Sequence, residues 1–319
     1  MTTFPLTTNA VQHRFKLHQL QIFERVMERR SLSRAANELN LTQPSVSKAI
    51  GELERGLGVT LFERSNRGVQ PTDIALQLNL RVKAILAEIR HITDEVNATI
   101  GGETGHLVIG TLMAGSAELV PQAVTALLHR YPDIQIRIQE GPSSDLFPAL
   151  ATGDLDIVVG RLPDQHAFPR PALALSHHVL YQERLSVVTG AAHPASRAKT
   201  LALADLIDEL WILPTPATSL RDDVEQTFHQ HGLPLPARHI ESLSILSNLG
   251  ILCNGQAIGL MPSDAAGRFL HPSLLAELPI DVFQRFGQVG YSLCEQRKPS
   301  ACTHLFIEQL ALATQRRAG

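Results

Sequence analysis

No glycine or proline interrupts the chain from Asp73 to Ile100. Across that stretch Ile74, Leu78, Val82, Ile85, Ile89, Ile92 and Val96 recur at spacings of four, four, three, four, three and four. Thr72 supplies an N-cap and Gly101-Gly102 ends the run, so the pattern predicts one helix of about 28 residues, roughly 40 Å long. Such a rod divides the 319-residue chain into a head before it and a body after it. A narrow apolar stripe on a polar rod needs an apolar partner. That partner is either the chain's own core or the same stripe of a second subunit, and a helix that pairs subunits is the expectation.

Charge follows the same division. Residues 1–70 carry ten Lys and Arg against six Asp and Glu, a net of +4, while the remainder carries eighteen against twenty-five, a net of −7. A basic head on an acidic body directs a polyanionic partner to the head alone. In the head, Leu17, Leu20, Phe23 and Met27 fall at helical spacing. Ser31 can cap a second helix containing Ala35, Ala36 and Leu39, and Asn40-Leu41 breaks it. Thr42 can cap a third, with Pro44 tolerated in its first turn.

With Val46, Ala49, Ile50 and Leu53 turned inward, Pro44, Ser47, Lys48, Gly51 and Arg55 turn out, flanked by Gln43 and Ser45. Small polar groups with one or two cations suit a helix that enters the major groove: hydroxyls and amides reach base edges and cations take phosphates. A solvated helix face would look the same in isolation. The next segment separates the two readings, because Leu61–Arg64 and Ser65–Val69 read as strand, turn, strand, a hairpin able to carry Arg64 and Arg67 to DNA as a wing. Three helices and a basic hairpin make a winged helix-turn-helix.

From His106 onward β and α signals alternate. Strands are expected at His106–Thr111, around Ile134, Ile136 and Ile138, at Asp156–Gly160, Leu185–Thr189, around Ile240, and at Ala257–Met261. Helices are expected at Gly115–Arg130, Ser144–Thr152, Ser219–His231 and Leu243–Cys253. Strands separated by helices imply parallel βαβ units. Other chemistry finds little support. Gly110-x4-Gly115-Ser116 lacks the lysine of a phosphate loop, no GxSxG turn occurs, and the clusters His177-His178 and His229-Gln230-His231 lack metal-ligand spacing. Neither catalysis, a metal nor a cofactor is expected. Three cysteines are too few for a disulfide framework, no apolar run reaches 18 residues, and the segment Met1–Phe15 has no secretory pattern. A cytoplasmic protein without a membrane span is the expectation.

The run Phe23-Glu24-Arg25-Val26, Ser31-Leu32-Ser33-Arg34-Ala35-Ala36, Leu41 through Ile50, Leu53-Glu54, Gly58-Val59, Leu61–Arg64, Arg67-Gly68 and Thr72 closely resembles the head of LysR-type bacterial transcriptional regulators. About 50 residues match in type, order and spacing, and the resemblance continues over the whole chain. It implies an α/β multidomain fold: a winged helix-turn-helix over 1–70, a linker and dimerisation helix over 71–101, and an effector domain like a periplasmic binding protein. Its first lobe would comprise 105–176 and 284–319, and its second 177–283. DNA contacts would come from Ser33, Thr42, Gln43, Pro44, Ser45, Ser47, Lys48, Arg55, Arg64 and Arg67. Lys48 stands where the family more usually has Arg, which suits a phosphate contact better than a bidentate guanine contact.

The resemblance also implies an effector cleft between the lobes. Ala114, Gly115 and Ser116 follow the first strand of the body, Ser143 starts the next helix, Arg161 ends the third strand, and Thr215 lies on the facing wall. Helix N-termini at these loops favour an anion, and in the family the Ser143 position often binds a carboxylate. Ser143 can equally be a helix cap, and Arg161 a salt-bridge partner. Promoter DNA, a small carboxylate effector, RNA polymerase and further copies of the chain, as dimer and homotetramer, are the implied partners. Within the family the chain resembles members that control catabolism of aromatic acids or sugars. The rival reading is a cytoplasmic small-molecule-binding protein or enzyme with a helical N-terminal domain.

Overall fold

The computed structural model describes residues 16–65, 68–99, 105–112, 115, 118–163, 174–216, 218–255, 257–263, 266, 274–283 and 287–316. Two compact units emerge, Met1–Val96 with Ala151–Asp154, and Asn97–Leu150 with Leu155–Gly319. The first holds α1 (Leu17–Arg29), α2 (Leu32–Glu38), α3 (Gln43–Leu57), the hairpin β1 (Phe62–Ser65) and β2 (Gly68–Pro71), and most of α4 (Asp73–Thr99). Ser31 and Thr42 cap α2 and α3, each hydroxyl accepting at 3.3 Å from the N–H three residues on. Between them Asn40 adopts φ 53°, a left-handed conformation that asparagine tolerates. Phe23, Val26, Ala35, Val46, Ile50, Leu53 and Leu61 form the core, joined by Ala75 and Val82 of α4.

The long helix is present, but its apolar stripe divides. Val82 and Ala75 enter the head core with Leu78 and Leu86 against them, whereas Ile74, Ile85, Ile92 and Val96 are exposed. At 100° per residue Ile85, Ile92 and Val96 lie within about 40° of Ile74, and Val82 lies about 80° round. The head therefore occupies one flank of the rod, and the described residues leave Ile74, Ile85, Ile92 and Val96 uncovered.

The second unit is a two-lobed α/β domain. One five-stranded sheet has the order β4-β3-β5-β12-β6, from β3 (Gly105–Thr111), β4 (Ile134–Glu140), β5 (Ile157–Arg161), β6 (Leu175–Gln182) and β12 (Gln288–Cys294). β3 runs parallel to β4 and β5, and β12 antiparallel to β5 and β6. Helices α5 (Leu119–Arg130), α6 (Ser143–Thr152) and α9 (Ala301–Gln315) belong to this lobe, with α9 beside α5. The other sheet has the order β11-β7-β10-β8-β9, from β7 (Leu185–Gly190), β8 (Trp211–Leu213), β9 (His239–Glu241), β10 (Ile258–Pro262) and β11 (Leu275–Glu277). With α7 (Ser219–Gln230) and α8 (Ile245–Cys253) it surrounds a core in which Trp211 meets Phe228 edge-on, centroids 5.4 Å apart.

Two expected boundaries move. The first lobe was expected to end at residue 176, but β6 pairs with β12 through Gln182, so the chain changes sheets between Gln182 and Leu185. Of the helix expected over Gly115–Arg130, Gly115 is helical, its N–H donating to Leu112 O (2.8 Å), but Glu118 at φ −140° is not, so α5 starts at Leu119. Among the described residues no helix is long and apolar enough to cross a membrane.

Candidate DNA-binding and effector sites

The inward set Val46, Ala49, Ile50 and Leu53 of α3 is buried as its spacing requires. Thr42, Gln43, Pro44, Ser45, Lys48 and Arg55 are exposed and Ser47 is half-buried, and Ser33 is exposed on α2. The Thr42 and Ser45 hydroxyls share a 2.8 Å hydrogen bond, and Arg55 Nε donates to Gly51 O at 3.1 Å. Among the described residues no carboxylate forms an ion pair with Lys48, so its charge is available to a phosphate.

Contacts behind α3 fix its pose. Gln19 Nε2 donates to Glu52 Oε2 (3.0 Å), tying α1 to α3. Glu54 Oε1 accepts from the N–H groups of Leu61 (2.7 Å) and Phe62 (3.1 Å), anchoring the base of the hairpin to α3. The other strand is held by Val69 N–H on Arg30 O (3.2 Å). Gly68 is required there, since its φ is 122° and a Cβ would lie 2.6 Å from Arg30 O. The Arg64 backbone pairs with Val69. The Arg64 side chain and Arg67 lie outside the described residues. On the α1–α2 side, Arg25 and Arg29 pair with Glu28 and Glu38, and burial, then the neighbouring Glu28, raises the Glu24 carboxyl to about 7.

In the body both sheets have a point at which strand order reverses. The chain leaves β3 for β4 on one side and returns past it to β5 on the other. It leaves β8 for β9 and returns past it to β10. Ligands in open α/β sheets bind outside the carboxyl ends of strands at such points. At the first point Ser143 is half-buried and opens α6. It is not the cap: Pro142 O accepts from the N–H groups of Asp145 and Leu146, both at 3.1 Å. The Ser143 hydroxyl has no protein hydrogen-bond partner among the described residues. Ala114 and Ser116 lie outside the described residues, and Gly115, buried and helical, follows β3.

Arg161, at the end of β5, is differently placed from a free ligand. Its guanidinium pairs with Asp223 of α7 and lies 3.8 Å from Glu183 in the crossing between the sheets. It also covers Gly287 on the return crossing, where a Cβ would come within 2.8 Å of Nη2. One side chain thus joins the first sheet, both crossings and the second lobe. At the second reversal point a small, partly open hollow of about 10 Å³, room for about one water, has apolar walls including Leu213, Leu220 and Leu260, with Ser242 and Asn248 as its polar side chains. Thr215, half-buried in the adjoining loop, accepts from Thr218 Oγ1 at 2.8 Å through its carbonyl. Glu183, Asp223 and Asn248 were not singled out from sequence; Asn248 had one weak signal, as an amide in the apolar run ILSNLGILC.

Comparison with known proteins agrees with this geometry over nearly the whole chain. Residues 17–76 match the bacterial regulatory helix-turn-helix protein, lysR family, and residues 101–314 match the LysR substrate binding domain. The chain belongs to the LysR family of transcriptional regulators. The HTH-type transcriptional regulator GbpR of Azospirillum brasilense is 36% identical over 246 residues, 77% of this chain and 71% of its own. PcaQ of Agrobacterium fabrum is 29% identical over 301 residues, covering 94% and 95%. In fold, the LysR family regulator CbnR aligns over 94% of this chain and 99% of its own, with 20% identity and a TM-score of 0.68. CbnR complexed with its target DNA aligns over 94% and 100%, with 21% identity and a TM-score of 0.67. As a LysR regulator this chain binds promoter DNA through its head and a small-molecule effector through its body. The family is one of transcription regulators and not of enzymes.

Proposed function

We propose that this regulator responds to a small carboxylate bound between the lobes, against Ser143 and the segment around Gly115. The observation that carries the reading is the Ser143 hydroxyl, half-buried at a strand-order reversal, at the first residue of a helix, with its capping role already taken by Pro142. Backbone N–H groups at that helix start favour negative charge, and the family resemblance adds Ala114, Ser116 and Thr215 as candidate contacts. Arg161 contributes by holding the two lobes in register, its charge engaged by Asp223 and Glu183.

The exposed stripe of Ile74, Ile85, Ile92 and Val96 supports a dimer formed through residues 71–101, and lobe contacts would extend it to a tetramer. A dimer presents two heads to two half-sites. In the head, Ser33, Thr42, Gln43, Pro44, Ser45, Ser47, Lys48, Arg55, Arg64 and Arg67 meet the operator. Binding of effector shifts the heads on DNA and so alters recruitment of RNA polymerase in the cytoplasm, at genes for catabolism of aromatic acids or sugars. The test is thermal-shift screening of metabolite carboxylates on the full chain, followed by calorimetry of Ser143→Ala with a hit. A loss of affinity of about tenfold is expected for a lost hydrogen bond to a charged group. Unchanged affinity would remove the site from Ser143.

A further inference from the structure

The linker helix has a third face besides the head-covered flank and the exposed stripe. Lys83, Ala87 and Arg90 stand at i, i+4 and i+7, on the side of α4 about 180° round from Ile74 and Ile92. Lys83 Nζ pairs with Asp154 Oδ2 at 2.5 Å, and Arg90 Nη2 donates to Gly153 O at 3.2 Å. Ala87 between them is 4% exposed. The loop that they grip is shaped for the contact. Thr152 Oγ1 donates to the same Asp154 oxygen at 3.1 Å, and Gly153 adopts φ 88°, a left-handed conformation that glycine takes without strain. Ala151–Asp154 accordingly packs with the head and α4 as one unit.

That loop is also the exit of α6, whose first residue is Ser143. The helix is roughly 15 Å long. Leu146, Phe147 and Leu150 bury one of its faces in a core with Val108, Leu155 and Val158, and the Arg297 guanidinium donates to Leu150 O in its last turn. Pro148 removes one internal hydrogen bond, and this packing holds the helix across the gap. Close-packed elements transmit a displacement rather than absorb it. At the far end, Lys83 follows Val82, which is buried in the head core. One short helix therefore runs from the proposed effector contact to a cation anchored beside the DNA-binding head.

We infer that Lys83 and Arg90 are the residues through which α6 reports effector binding to the linker helix. Their two contacts lie seven residues apart along α4, so together they hold the rod against both sliding and rotation. A shift of α6 at Ser143 loads or releases that grip, and with it the direction in which the opposite stripe of Ile85 and Ile92 faces. This rests on the reading that the effector meets Ser143, and adds the route from that contact to the head.

Hydrogen exchange of the full chain, read by mass spectrometry, tests the route without any ligand. The parent is compared with Lys83→Met, Asp154→Asn and the double variant. Each single variant should speed exchange about fivefold or more at residues 151–155 and also at 143–147, the far end of α6, while α5 and β3 keep the parent rate. The double variant should match the singles, because they remove two halves of one contact. Faster exchange confined to 151–155 would make the pair a local contact. Faster exchange that includes α5 and β3 would make it a general brace of the lobe. Either result, or no change at all, overturns the inference. Sodium benzoate, used as a plain carboxylate probe, separates the route from its premise. Protection at 143–147 with a change at 80–91 that Lys83→Met abolishes supports both, whereas protection at 143–147 with 80–91 unmoved overturns the route. If benzoate protects nothing while the ligand-free variants behave as expected, the result counts against a carboxylate at Ser143 and the route stands.

Discussion

Removing the Arg161 side chain tests how the two lobes are joined. Glu183 is 4% exposed and Asp223 29% exposed, so Arg161→Ala leaves one carboxylate buried and another half-shielded without their cation. Breaking a buried pair from one side costs about 3–5 kcal/mol, because the remaining charge has no solvent to relax it. For a domain of roughly 200 residues each kcal/mol shifts the melting temperature by about 2–4 °C. The effector-domain transition should therefore fall by about 6–20 °C in a calorimetric scan of the full chain. Arg161→Met combined with Glu183→Gln should recover much of that loss, since a pair replaced on both sides leaves no buried charge behind. The loss should also resist salt, unlike that of an exposed pair. A variant that melts within 2 °C of the parent but no longer binds effector would refute the lock and make Arg161 a ligand residue.

In the head, Gly68→Ala should cost about 2 kcal/mol or more, from the left-handed φ and the approach to Arg30 O, read by urea denaturation; an unchanged midpoint would show that the hairpin can move aside. Glu24→Gln should raise the melting temperature at pH 8 and flatten its dependence between pH 5.5 and 8. The folded-state value near 7 exceeds the ordinary 4.5, so the folded head holds more protons than the unfolded chain and loses stability as pH rises through 7. Ile85→Glu should leave the melting of the monomeric head unaltered, Ile85 being 47% exposed, yet halve the mass in light scattering and abolish specific DNA binding. Ser47→Ala should cost roughly 1–3 kcal/mol of discrimination at one base pair, whereas Arg64→Ala should weaken all sequences alike and reduce the salt slope by about one; gel shifts across salt and operator variants separate the two.

The head was legible because its signals are local. Hydroxyl caps at Ser31 and Thr42, a left-handed break at Asn40 and the i, i+3, i+4, i+7 set on α3 act within a turn or two of chain, and each formed as its chemistry requires. The long helix was equally plain, but which flank would be covered was not. Val82 belongs to the same spacing series as Ile85, and only the position of the head core sends one inward and leaves the other bare. The body showed its βαβ alternation while hiding β6, β8, β11, β12 and α9. β8 and β11 have three residues each, too few for a period to show. β6 carries the polar pair His177-His178 and is an edge strand, so solvent takes over what a buried neighbour would demand.

The effector site divides along the same line. Ser143 was visible because a serine after Gly-Pro at the end of a strand marks a helix start whatever lies opposite. The two roles left open for Arg161 could not be separated by local sequence, since its partners stand 22 and 62 positions away and on different elements. Asp223 is the extreme case, since no spacing in β5 foretells that a carboxylate of α7, together with Glu183 of the crossing, will converge on one guanidinium. The residues proposed to meet DNA stand mainly on one helix and one hairpin, whereas those that join the lobes come from separate elements and are defined only by what the fold brings together.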